Sequence, residues 1–129
     1  MAHSLNKVYV HVVLTTKYRY PYFKDELKTK AIEKIKEVFA ENECAVIAIN
    51  GYEDHLHALF LQNPNISLMI LMKYVKGKTS RYINKELLTR GKFGWSVGYG
   101  SFSVCPEHLE VKKNYIINQE QHHKGEKLK

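Results

Sequence analysis

The sequence predicts an α+β fold of the ferredoxin-like (RRM-like) kind: an antiparallel sheet of about four strands, two helices on one face and a further helix at the C-terminal end. Three observations predict it. Residues 7–17 alternate, with Val8, Val10, Val12 and Leu14 on one side and Tyr9, His11, Val13, Thr15 and Lys17 on the other, the period of a half-buried strand. Two short apolar runs, 45–50 and 55–61, flank Gly51-Tyr52-Glu53-Asp54 with the length and composition of an antiparallel hairpin. Two further stretches repeat apolar residues at the three-to-four spacing of an amphipathic helix. The resulting order, βαββαβ plus a final helix, is that of the split βαβ fold.

Each element follows from local chemistry. Pro21 breaks the first strand, and Asp25 is expected to cap the first helix, in which Leu27, Ala31, Ile35, Val38 and Phe39 recur. Pro64 and Asn65 end the hairpin, and Ser67 is expected to cap a second helix with Leu68, Leu71, Met72, Val75 and Tyr82 on its apolar face. Gly77 lies inside that helix at a cost of about 1 kcal/mol relative to alanine, which a kink or the close approach of another backbone would explain. Gly91 is expected to end it. Tyr99, Ser101 and Ser103 then alternate with Gly100, Phe102 and Val104 as a fourth strand. Pro106 suits the first position of a third helix that runs through Tyr115 to about His123, leaving 124–129 as a frayed tail. With two helices on one face, the other face is open. Alternation sends Tyr9, His11, His55, His57, Tyr99 and Ser101 towards it, to be covered by the third helix or a partner.

At 129 residues and 44% hydrophobic, the chain suits one compact domain, 1–129, with a single core. No apolar run approaches the roughly 20 residues of a membrane span, and the N-terminus lacks a signal-peptide pattern, so the expected location is the cytoplasm, at the nucleoid. Cys44 and Cys105 stand in no metal-binding spacing and read as ordinary small residues. The net charge of +7 suits a polyanionic partner. Lys73, Lys76, Lys78, Arg81, Lys85 and Arg90 crowd one region, while Lys112, Lys113 and Lys124 flank Tyr115; solvated faces and a basic tail would look the same.

The chemistry concentrates in two motifs. In Asp54-His55-Leu56-His57 the period of a strand puts both imidazoles on one face and Leu56 on the other, which makes half of a metal site. A lone pair of this kind more often packs or faces solvent. Two neutral imidazoles nevertheless leave open the coordination positions that a catalytic Mg²⁺ or Mn²⁺ needs, and Gln119 can add a neutral oxygen. Asp54 reads as a turn former able to orient an imidazole. Tyr115 and Gln119, four apart on a helix, share a face. Tyr115 reads either as packing, since the chain has nine tyrosines, or as a nucleophile towards phosphorus; a phenol with an ordinary pKa of about 10 needs metal help for that. His122, seven residues on, can share the face and contact DNA.

With His55-Leu56-His57, Tyr115-x-x-x-Gln119 and Gly98-Tyr99-Gly100-Ser101-Phe102-Ser103 in view, the chain resembles the HUH-superfamily single-tyrosine transposases of insertion sequences and their relatives associated with repetitive palindromic elements. The likeness runs from Val8 to His123 and includes Thr16-Lys17-Tyr18-Arg19 and Asn118-Gln119-Glu120-Gln121-His122-His123. It implies a homodimer joined through its sheets. It also implies metal ligands at His55, His57 and Gln119, and a C-terminal helix whose Tyr115 joins covalently to the 5′ phosphate of cleaved single-stranded DNA. By the same resemblance the substrates are DNA hairpins near element ends, with Lys73, Lys76, Lys78, Arg81 and His122 as expected contacts, and a tyrosine helix that can serve either subunit. Many relatives continue past the double histidine with a further helical segment, whereas this chain stops six residues later. Two other readings fit the residues without the resemblance. One is a non-catalytic nucleic-acid-binding module that stacks bases on sheet aromatics such as Tyr9 and Tyr99; the other is a metal-dependent nuclease using activated water.

Overall fold

The computed structural model describes residues 5–88 and 92–119. Its elements are β1 (Tyr9–Thr15), α1 (Asp25–Glu41), β2 (Ala45–Tyr52), β3 (His55–Leu61), α2 (Leu68–Tyr82), β4 (Gly100–Val104) and α3 (Leu109–Ile117). Short 3₁₀ turns at Lys17–Arg19 and Pro106–His108 and a π turn at Ile83–Leu87 join them. The four strands form one antiparallel sheet in the order β2-β3-β1-β4, the ferredoxin-like arrangement expected from the element order.

The sheet has two differently covered faces. Val10, Val12 and Leu14 of β1 and Leu56, Ala58 and Phe60 of β3 pack with Ala31, Ile35, Val38 and Phe39 of α1 and Leu71, Met72 and Val75 of α2 in the main core. On the other face, Ala48, Leu59 and Val104 pack with Ile116 of α3. The face left open by α1 and α2 is therefore covered by the third helix of the same chain.

Several boundaries move. β1 is shorter than 7–17, and Val8 is exposed. The hairpin loop shrinks to Glu53-Asp54 because Gly51 and Tyr52 stay in β2, Tyr52 opposite His55. Gly51 is obligatory there: a Cβ would collide with the His55 carbonyl oxygen and with Leu56. Ser67 caps α2 as expected, its hydroxyl accepting from Ile70 N at 3.1 Å. Asp25 does not cap α1. It is the first helical residue, and the N-cap is Lys24, which makes no side-chain capping hydrogen bond. The C-terminal limit expected at Gly91 lies outside the described residues; regular α-helix already ends at Tyr82.

The fourth strand corrects the phase read from alternation. Cross-strand partners share a face, and β1 sets Val12 against Ser101, Val10 against Ser103 and His11 against Phe102. Ser101 therefore belongs to the face of α1 and α2, and Phe102 takes the place beside His11, their rings 5.9 Å apart.

Gly77 is exposed within α2, and a Cβ there would meet nothing within 4 Å. No close backbone approach explains it. Gly77→Ala is accordingly expected to stabilise the fold by about 0.5–1 kcal/mol, read as a higher urea midpoint at unchanged slope.

Candidate functional site

The open face gathers the chemically distinctive side chains. β3 delivers His55 and His57, 6% and 8% exposed, with ring centroids 5.1 Å apart. α3 lies over them: Ile116 is fully buried against the sheet, and Asn50 Nδ2 donates to Ile117 O at 2.7 Å, fixing the helix end to β2. This seating brings the Tyr115 ring perpendicular to that of His57 at 6.1 Å, while the residue stays 44% exposed. The Lys112 ammonium sits 5.5 Å from the centroid of the Tyr115 ring.

The histidines are oriented from behind. His55 Nδ1 lies 2.8 Å from Asp54 Oδ1, and Arg19 Nε donates to Asp54 Oδ2 at 2.8 Å. An ionised carboxylate only accepts, so His55 carries a hydrogen on Nδ1, which leaves Nε2 as the nitrogen that would meet a metal. Burial pushes the Asp54 carboxyl pKa up, but the hydrogen bonds from His55 and Arg19 and the nearby guanidinium charge outweigh it and hold the group below its usual value. Arg19 reaches Asp54 from a left-handed pair, Tyr18 and Arg19 at φ 57, and Thr16 Oγ1 ties that turn by donating to Tyr20 O at 2.8 Å.

His57 Nδ1 is 2.8 Å from Nε2 of the buried His11. Burial, and secondarily the Lys112 charge, bring the His11 pKa down to about 4. His11 is thus neutral near pH 7 and able to accept. For His57 to present Nε2 to a metal, its Nδ1 donates to His11, the same arrangement that Asp54 gives His55. Below pH 6.5 the unfolded chain takes a proton that the folded chain refuses until about pH 4. Stability is therefore expected to be fully present above pH 6.5 and to fall as the pH drops through about 4. Urea midpoints across that window check this, and His11→Gln should flatten the decline.

Gln119, one turn after Tyr115, is 1% exposed; its Nε2 donates to Tyr115 O at 3.3 Å, and its Oε1 has no hydrogen-bond partner. A buried carbonyl oxygen without a hydrogen-bond partner, two residues past the end of the helix that lies over His55 and His57, fits a cation site. No group of three or more His, Cys, Asp or Glu side chains able to hold a metal occurs among the described residues, where the neutral Gln119 oxygen is the further ligand that the sequence suggests.

The basic residues singled out in the sequence go elsewhere. α2 lies on the opposite face from Tyr115. Lys76 Nζ donates to Ser96 O and Gly98 O, both at 2.8 Å, and Lys78 Nζ pairs with Glu41 at 3.1 Å, whereas Lys73 and Arg81 are exposed. His122 lies outside the described residues. The roles of His11 and Arg19 were not assigned from sequence. For His11 a signal existed, since alternation puts it on the same face as the histidine pair; for Arg19, in a turn, none did. No helix among the described residues is long and apolar enough to cross a membrane.

Comparison with known proteins adds an independent line. Residues 4–119 match the family described as transposase IS200 like. The transposase for insertion sequence element IS200 from Salmonella typhimurium (strain LT2) is 28% identical over 142 residues, 99% of this chain and 88% of that one. Among solved structures, a Deinococcus radiodurans protein assigned as a transposase superposes with a TM-score of 0.73 at 22% identity, over 92% of this chain and 95% of that chain. A REP-associated tyrosine transposase bound to a REP hairpin gives 0.71 at 10% identity, over 95% and 72%. At these identities the two structures speak for the fold.

Proposed function

The chain belongs to the IS200-like transposase family, and from that premise we propose that it cuts and rejoins single-stranded DNA through a covalent link to Tyr115. The observation that carries this reading is the seating of Tyr115 on its own sheet, its ring 6.1 Å from that of His57 and its side chain still accessible. In the first step the Tyr115 hydroxyl oxygen attacks a backbone phosphorus. The bond to the 3′ oxygen breaks, that oxygen leaves as a 3′ hydroxyl after taking up a proton, and the 5′ phosphate stays on the tyrosine. A 3′ hydroxyl from a second strand then attacks the phosphotyrosine, which restores the free phenol and joins the strands. One phosphodiester is made for each one broken, so no ATP is required.

His55, His57 and Gln119 would hold Mg²⁺ or Mn²⁺, which when bound supplies Lewis-acid polarisation of the scissile phosphate. Asp54 and His11 hold the two imidazoles in the ligating tautomer, and Arg19 holds Asp54. Lys112 brings a positive charge to the tyrosine end of the site. Lys73 and Arg81 are proposed phosphate contacts for a hairpin stem, and the working unit is proposed to be a homodimer.

The test is denaturing electrophoresis of the protein with labelled hairpin DNA from the flanks of its gene, with and without Mg²⁺ or Mn²⁺. A metal-dependent, protease-sensitive retarded band is expected. Hairpin binding indifferent to metal, with no cleavage, would favour a binding module instead.

A further inference from the structure

Beside the histidines the open face carries a hollow of about 450 Å³, lined chiefly by Val13, Thr15, Val97, Tyr99, Gly100 and Phe102. Its floor adjoins the proposed metal ligands, because Val13 pairs with His57 and Thr15 with His55 across the β1–β3 ladder. The wall at Ser96–Gly98 is fastened in place. Lys76 Nζ donates to Ser96 O and Gly98 O, Ser96 Oγ to Thr16 O and Ser96 N to Thr15 O, all at 2.8 Å. Gly98 makes the corner at φ 79, in the left-handed region open to glycine. The hollow is thus preformed and of the size of small-ligand sites.

Its chemistry is selective. Among the described residues no charged side chain lines it, which disfavours a phosphate. It presents instead Val97 fully exposed, Phe102 58% exposed and Tyr99 38% exposed. An aromatic ring left in solvent next to a polar site matches the flat apolar face of a nucleobase.

We propose that this hollow takes one unpaired base of the single-stranded DNA, stacked on Phe102, adjacent to the nucleotide whose phosphate lies at His55 and His57. The inference rests on the DNA-cleaving reading above and names a substrate contact of that same site.

The probe is a single-stranded oligonucleotide from the flank of the gene, carrying 2-aminopurine in turn at each position around the cleavage point. Fluorescence is expected to be quenched by stacking at one position. Phe102→Ala should abolish that quench and lower affinity by about tenfold, the order of one stacked base, while Phe102→Trp keeps both. An abasic residue at that position should weaken the wild type equally and weaken Phe102→Ala no further. Phe102 is exposed on an edge strand, so its loss leaves the core intact. Unchanged quench and affinity in Phe102→Ala would overturn the proposal. So would a changed sedimentation coefficient without loss of the base effect, which would make the hollow a contact between copies. Covalent capture is scored on the same samples: capture without a base effect defeats the hollow alone, and a base effect without capture defeats the cleavage reading alone.

Discussion

Replacing Tyr115 with phenylalanine is expected to abolish covalent capture and to lower strand cleavage by more than about 10⁴-fold, with hairpin affinity nearly unchanged. The magnitude is that of removing a nucleophile that nothing else in the site replaces. The selectivity follows from the packing. Tyr115 is anchored to the fold by its neighbour Ile116, which is fully buried against the sheet. The Tyr115 ring makes contacts with His57 and Lys112 that a phenylalanine ring preserves. Cleavage rates under single-turnover conditions and hairpin titrations of the same preparation check both halves. A parallel fall in affinity and rate would mean that the hydroxyl binds substrate.

Gln119→Met is expected to separate stability from activity in opposite directions. Gln119 Oε1 is buried without a partner, and its Nε2 makes only a 3.3 Å bond to the Tyr115 carbonyl. A buried carbonyl left unsatisfied is destabilising, and an apolar side chain of similar length removes it. The variant should therefore gain about 1 kcal/mol of stability while losing metal affinity and cleavage by about 10²-fold or more. Chemical denaturation and calorimetric Mn²⁺ titration measure the two. A residue kept at a cost to the fold is what a functional site requires. A destabilised variant with normal metal binding would make Gln119 a packing residue.

Much of this arrangement was legible in the sequence, for reasons that differ by element. The alternation of β1 and the spacing of His55 and His57 report the period of a strand directly, so the shared face of the histidines follows without a structure. Ser67 announces α2 because its hydroxyl satisfies a helix-start amide. Asp25 misleads because the same residue type also suits the first helical turn, where the helix dipole favours its charge. β4 is harder. In Gly100–Val104 the apolar set, Gly100, Phe102 and Val104, lies on the face of His11, where Val104 packs under Ile116, so expecting the serines there put the strand out of phase and only its register against β1 corrects it. The support of the site was less legible still. His11 is 46 residues from His57, and Arg19 is 35 from Asp54. Such pairs are made by strand order and turn geometry, which no local pattern encodes. The basic run on α2 read as one patch, yet folding turns Lys76 to loop carbonyls and Lys78 to Glu41.

The most direct test of the central claim is mass spectrometry of the tryptic peptides after reaction with hairpin DNA in Mn²⁺, with a chelator control. A 5′-phosphonucleotide adduct on Tyr115 is expected, dependent on the metal and lost on adding a strand with a free 3′ hydroxyl. Cleaved DNA bearing a free 5′ phosphate, with every tyrosine unmodified, would contradict it and assign the reaction to activated water.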